Sequence, residues 1–263
     1  MSDLSLRPRS AAELIDAAFR LYRQHFAGFI TLSAIVYLPM FVLSVFIGRL
    51  APQIEAGDLS VTGSLLAAFV ALLLWYSIME AALCIAASDR YHGREIEPGR
   101  ILRDTFSHAG SIIAAKMWIG FVMFFAFLFF FLIFPPFYFF ARYFAIPQAI
   151  LFERLGAWGG LNRTRDLSKG EKWKVLKTLG LIWLMFLVTS GGIGLLLQPE
   201  VGTSPSILSQ VISSLVSMIA FPLVPITGTL LYYDVRIRRE GYDIEVLSAG
   251  LEAPAPAVVA SQG

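Results

Sequence analysis

Two charged residues stand where charge is expensive. Glu80 interrupts the apolar run "LLLWYSIMEAALCIAA", and Arg142 interrupts "PPFYFFARYFAIPQAI". A charge at such a position costs on the order of 3 kcal/mol on membrane-insertion scales, so each should have a partner. Glu80 lies nine residues before Asp89, and Arg142 lies eleven before Glu153. At the helical rise these offsets put the two side chains about 13 Å and about 16 Å from the same boundary. The spacing therefore predicts that Glu80 and Arg142 approach each other inside a helix bundle. Such a pair could form a polar site for a headgroup or a proton. The plainer alternative, which we favour, is a structural ion pair fixing one hairpin against the next. Lys116, about 9 Å deep by the same rise, is expected to snorkel to the interface.

Little else in the chain has the spacing of a reactive site. His25, His92 and His108 are scattered and form no short-spaced ligand pair, and Cys84 is the single cysteine. A metal site is not expected, and no cofactor or catalytic motif such as a phosphate-binding loop or nucleophile elbow is found. Asp234 sits among arginines and reads as a capping or pairing group. Arg20, Arg23, Lys116, Lys172, Lys174, Arg236 and Arg238 fall near segment ends, where basic side chains can meet anionic lipid headgroups. Orientation of the chain in the bilayer explains those charges equally well, and nothing further supports binding of nucleic acid.

The elements that must position these residues follow from composition. Hydrophobic types make up 57% of the 263 residues and charged types 15%, against about 25% charged in ordinary soluble domains. A soluble core could not hide that much apolar surface, so lipid is the expected solvent. No apolar stretch precedes Phe26, so a cleaved signal peptide is not expected. A bilayer core needs about 20 apolar residues per helix. Six segments qualify: 26–50, 61–88, 110–134, 137–153, 174–197 and 207–233. The fourth is short and carries Arg142 and Pro147, and its alternative is a re-entrant or peripheral segment.

Charge placement favours six spans. With six, Arg7, Arg9, Arg20, Arg23, Arg90, Arg94, Arg100 and Arg103 fall on one side with the basic residues of 154–177 and Arg236, Arg238 and Arg239. The opposite side keeps Arg49, Glu55, Asp58 and Glu200. The positive-inside rule then puts both termini in the cytoplasm of a bacterial inner-membrane protein. Trp118, Trp158 and Trp173 fit an aromatic belt. Residues 250–263 read as a disordered tail.

The chain also repeats itself. "RREGYDIE" at 238–245 echoes "RYHGREIE" at 90–97, and both directly follow an apolar segment. Each pair of spans is preceded by a basic amphipathic stretch. The first has a capping-box pattern, Ser10 with Glu13, and apolar residues at helical spacing. The fold class expected is therefore all-α integral membrane, with six transmembrane helices as three hairpins, each preceded by a cytoplasmic amphipathic helix. The approximate units are 5–93, 94–156 and 157–245 within a 1–249 membrane domain.

"RPRSAAELIDAAFRLYRQHF", "IPQAILFERLGAWGGLNRTRDLSKGEKWKVLK" and "LLYYDVRIRREGYDIE" resemble bacterial multi-pass proteins known as glycerophosphoryl diester phosphodiesterase membrane domains. The resemblance covers roughly residues 5–245. It implies a six-helix membrane domain, sometimes fused to a soluble phosphodiesterase barrel. The 263 residues leave no room for that barrel, and "YHGRE" at 91–95 departs from its His-Arg-Gly opening, so no catalytic residue carries over. The expected function is a non-enzymatic accessory or scaffold subunit that binds membrane lipids and other membrane proteins or copies of itself. The alternative is a transporter or lipid-handling protein using a midplane polar site around Glu80 and Arg142.

Overall fold

The structure, a computed structural model, describes residues 8–55, 59–128, 134–197, 206–242 and 244. The stretch 250–263 lies outside the described residues, as do Arg7, Asp58, Glu200, Asp243 and Glu245. Among the described residues every element is a helix: α1 (Ala11–Gln24), α2 (Phe26–Glu55), α3 (Leu59–Tyr91), α4 (Pro98–Ser107), α5 (Ala109–Leu128), α6 (Phe134–Arg142), α7 (Ile146–Phe152), α8 (Ala157–Leu167), α9 (Lys172–Leu196), α10 (Ile207–Ala220) and α11 (Leu223–Glu240).

The sequence explains most of the boundaries. Ser10 caps α1: its hydroxyl accepts the Glu13 N–H at 3.3 Å, while Glu13 accepts the Ser10 N–H at 2.7 Å. This reciprocal pair satisfies two otherwise orphaned donors. Gly93 and Gly241 follow α3 and α11 with φ of 76° and 64°, the left-handed conformation that glycine adopts without strain. Pro222 stands at the junction of α10 and α11. Its missing N–H ends the first helix there.

Four helices are long and apolar enough to cross a membrane: Phe26–Leu43, Leu59–Tyr91, Lys172–Leu196 and Leu208–Glu240. A fifth follows if α4 and α5, bent by 62° at His108, count as one span. The chain thus fits a multi-pass membrane protein. The segment 137–153 is not one continuous helix. It breaks at Tyr143–Ala145 into α6 and α7, each no longer than about 14 Å. Pro147 lies in the first turn of α7; its ring would clash with the carbonyl of Tyr143 if the helix ran on.

At the centre, α3 packs on α11, and both also meet other helices: α2, α4, α5 and α7 on α3, and α1, α8 and α9 on α11. Residues 78–89 of α3, apart from the half-buried Glu80, and 224–235 of α11 are buried, and the two helices pack on each other. The short amphipathic helix α1 lies over α11 and α9 and buries Leu14, Ala17, Ala18 and Leu21. Each large apolar side chain buried this way contributes about 1.5–3 kcal/mol. The Tyr22 hydroxyl donates to the Ile219 carbonyl at 2.7 Å and ties α1 to α10. The helix α10 sits between α2 and α9, and a Cβ on Gly194 of α9 would come within 4.0 Å of the Ser213 hydroxyl. Ser213 and Gly194 thus meet where small residues let helices approach closely.

Candidate functional site at the charged end of the bundle

The polar chemistry concentrates where α3 and α11 end. Asp234, 3% exposed, is surrounded by donors. It accepts the backbone N–H of Arg9, the Lys174 ammonium, and the Arg238 guanidinium at 3.1 Å. Arg238 also donates to the Arg9 carbonyl at 3.0 Å. One carboxylate thereby joins the lead-in to α1, the start of α9 and the end of α11. A second hub is Arg163 on α8, whose Nε reaches Glu153 at 2.6 Å and whose Nη2 reaches Glu240 at 2.8 Å. Glu153 also accepts the Tyr232 hydroxyl at 2.6 Å.

Beside these hubs opens a chamber of about 620 Å³. One wall is the end of α3: Ile85, Ser88, Asp89, His92 and Arg94. Opposite stand Arg100, Asp104 and His108 of α4 and its cap, with Tyr233, Arg236 and Tyr242 from α11 and beyond. Leu151, Phe152 and Arg154 close it from α7. The buried Asp89 is held by Arg100 and lies 3.6 Å from Arg94. Asp104 accepts from Arg100 at 3.1 Å. Both acids of the wall are therefore paired, while four guanidiniums line it. Among the described residues Arg154 has no carboxylate within ion-pair distance, and its φ of 52° is an uncommon conformation for a residue with a Cβ. Arg94 keeps its side chain 64% exposed. Arg236 pairs with Glu240 at 3.2 Å, so the positive charge the chamber offers is that of Arg154 and the exposed Arg94, beside the apolar Ile85, Leu151 and Phe152.

His92 joins the two similar segments that follow α3 and α11. Its Nδ1 lies 2.8 Å from the Ser88 carbonyl and its Nε2 lies 3.1 Å from the Tyr242 hydroxyl. The rings of Tyr91 and Tyr233 stack at 4.7 Å. The segments after α3 and α11 thus sit against each other. Desolvation among these rings pushes the His92 imidazole below its ordinary value of 6.5, helped by the Arg94 and Arg236 charges and opposed by the Ser88 carbonyl and Asp89. His25 shifts the same way, through burial and Arg90. The unfolded chain takes up these protons more readily than the folded one. Stability is therefore complete above about pH 6.5 and falls as pH drops below it. Melting in detergent at about pH 7.5 and about pH 5.5 should show the loss, and His92→Gln should reduce it. An unchanged slope in that variant would remove His92 from this account.

The residues singled out in the sequence are distributed differently from the expectation. Glu80 pairs with Lys116 at 2.8 Å, not with Arg142. Lys116 therefore turns across to α3 and does not snorkel away from the bundle. Arg142 donates to the Tyr138 hydroxyl at 3.1 Å and lies over the Tyr143 ring at 5.6 Å. The reason is azimuth: α5 packs on α3, whereas α6 packs on α9 and α5. Equal depth says nothing about which faces meet. Lys174 and Arg238 bind Asp234, while Arg236 lines the chamber with its guanidinium 4.2 Å from the Tyr242 ring centre. Arg20 and Arg23 are exposed on α1. Lys172 lies 4.1 Å from the Tyr138 ring centre. The chamber was missed in the sequence because Asp89, Arg100 and Arg154 look like ordinary boundary charges. The doubled "RREGYDIE"/"RYHGREIE" pattern marked only their neighbours His92, Arg94 and Tyr242.

Fold and site together define an all-helical protein of the multi-pass membrane type with a basic, amphipathic chamber at one end. No protein-family model, curated protein or solved structure matches the chain.

Proposed function

We propose that the chain is a non-enzymatic inner-membrane protein that handles an anionic amphiphile, holding its headgroup in the chamber at the charged end. The observation that carries this is the chamber lining: Arg100 and Arg236 are held by carboxylates, while Arg154 and the exposed Arg94 face the space beside Ile85, Leu151 and Phe152. The paired acids and the doubly engaged His92 suit binding better than proton transfer. Orientation by the positive-inside rule makes this end cytoplasmic. Contacts between segment ends support six passes, because Arg142, at the end of α6, shares a pocket with Lys172, at the start of α9. The broken α6–α7 would then bring the chain back to the end from which α5 departs. Three units, each a short helix followed by two passes, complete the reading and accord with the likeness to phosphodiesterase membrane domains in architecture alone.

The test is native mass spectrometry of the protein from mild detergent with added phosphatidylglycerol or phosphatidylcholine. Wild type should retain the anionic lipid in preference. Arg94→Gln with Arg154→Gln should lose that preference by about thirtyfold, from two charges at about 1 kcal/mol each. Equal retention of both lipids by wild type would refute the reading.

A second reading, an accessory or scaffold subunit, has its own observation. Met117, Trp118, Phe121, Phe124 and Phe125 make an exposed face along α5, with Trp118 set against Trp158 at 5.1 Å. That face suits either lipid chains or another membrane helix. Recovery of a stoichiometric partner protein after mild extraction would favour the scaffold.

A further inference from the structure

A second basic pocket lies apart from the chamber and shares no lining residue with it. It has a volume of about 300 Å³ and is lined by Tyr138, Arg142, Arg165, Lys169 and Lys172. Three elements bring these residues together: the C-terminal end of α6, the end of α8 with its turn, and the first residue of α9. Gly170, with φ of 84°, makes that turn possible. The acid nearest these cations is Asp166, which takes Lys169 at 2.8 Å and Arg165 at 3.9 Å.

Arg142 and Lys172 are left without a carboxylate within ion-pair distance among the described residues. Both instead lean on Tyr138: Arg142 Nη1 donates to its hydroxyl at 3.1 Å, and Lys172 Nζ stands 4.1 Å from its ring centre. The Arg142 Nε is buried and has no hydrogen-bond acceptor. An unsatisfied buried donor of a charged group is costly, and two half-buried like charges on one tyrosine repel each other. An anion with several acceptor oxygens offsets the repulsion between the two cations, because a guanidinium presents N–H groups that match a phosphate. Farther along the same helices Phe137 of α6 and Leu181 and Leu184 of α9 are exposed. A ligand with its charge in the pocket can keep acyl chains along these helices.

We propose that Arg142 and Lys172, assisted by Arg165 and Lys169, form a phosphate-binding site. The phosphate belongs to an anionic lipid headgroup or is free inorganic phosphate. The site locks the break between α6 and α7 to the start of α9.

The test is thermal melting of the full chain in mild detergent with phosphatidylglycerol, inorganic phosphate or phosphatidylcholine added. Phosphatidylglycerol should raise the melting temperature and phosphatidylcholine should not. Arg142→Gln with Lys172→Gln should weaken the apparent affinity for the stabilising ligand by about thirtyfold. Arg142→Lys with Lys172→Arg should restore most of it and serves as the control for folding. In the Arg94→Gln, Arg154→Gln background, where chamber binding is removed, phosphatidylglycerol should still raise the melting temperature, and adding Arg142→Gln with Lys172→Gln should abolish that remaining rise, which separates this site from the chamber. Equal stabilisation by inorganic phosphate would identify the ligand as the free ion. The proposal is overturned if neither anion stabilises wild type, or if the Gln variant folds and keeps the full response.

Discussion

Asp234→Ala should destabilise the protein by about 3–5 kcal/mol, the cost of removing one partner from a buried charge cluster. Lys174, whose side chain is 16% exposed, would be left as a nearly buried ammonium without its acid. Arg238 would lose its Nε acceptor, and the Arg9 N–H would lose the Asp234 carboxylate. Three elements would come apart together: the lead-in to α1, the start of α9 and the end of α11. The measurement is a melt in detergent, with a loss on the order of 10 °C. Asp234→Ala combined with Lys174→Met should recover part of the loss, since the second change removes the stranded charge. Arg238→Ala alone should cost much less, because that side chain is 34% exposed and surface pairs contribute about 0–1 kcal/mol. A loss no larger for Asp234→Ala than for Arg238→Ala would show that the carboxylate is not the hub described above.

Gly160→Ala should cost about 1–3 kcal/mol by overpacking. A Cβ at Gly160 on α8 would stand 2.6 Å from the Ile150 Cγ1 of α7, closer than packed carbons come. Ile150 is fully buried, so it cannot swing into solvent, and α7 must shift. The same movement displaces Leu151, Phe152 and Arg154 at the chamber wall, so retention of anionic lipid should fall with stability. Ile150→Ala in the same chain should relieve the clash, giving a combined loss smaller than the sum of the single losses. Strict additivity would mean that α8 and α7 do not meet as described.

How much of this could be read in advance differs from element to element. Long apolar runs with caps and prolines carry their own boundaries: Ser10 with Glu13 starts α1, and Pro222 divides the last span into α10 and α11. Composition identified lipid as the solvent for the same reason, because burial of apolar area does not depend on which helix is next to which. The fourth segment was harder. It is short and carries Arg142 and Pro147, so it read as a span or as a re-entrant or peripheral segment, and hydropathy alone does not place the break at Tyr143–Ala145. Pairing was hardest. Glu80 and Arg142 share a depth, yet Lys116 reaches Glu80 because α5, not α6, lies against that face of α3. Asp89 with Arg100, and Arg163 with Glu153 and Glu240, depend in the same way on the order in which helices surround α3 and α11. The likeness of "RYHGREIE" and "RREGYDIE" was legible in the sequence, but not that His92 and Tyr242 from the two segments would touch.

The most direct measurement is an experimental density map of the full chain in lipid nanodiscs rich in phosphatidylglycerol. The account predicts a headgroup phosphate in the chamber, within hydrogen-bond reach of Arg154 and Arg94, with its chains along Ile85, Leu151 and Phe152. A map that resolves lipids around the helices but shows the chamber filled by water, with Arg154 turned away, would contradict it.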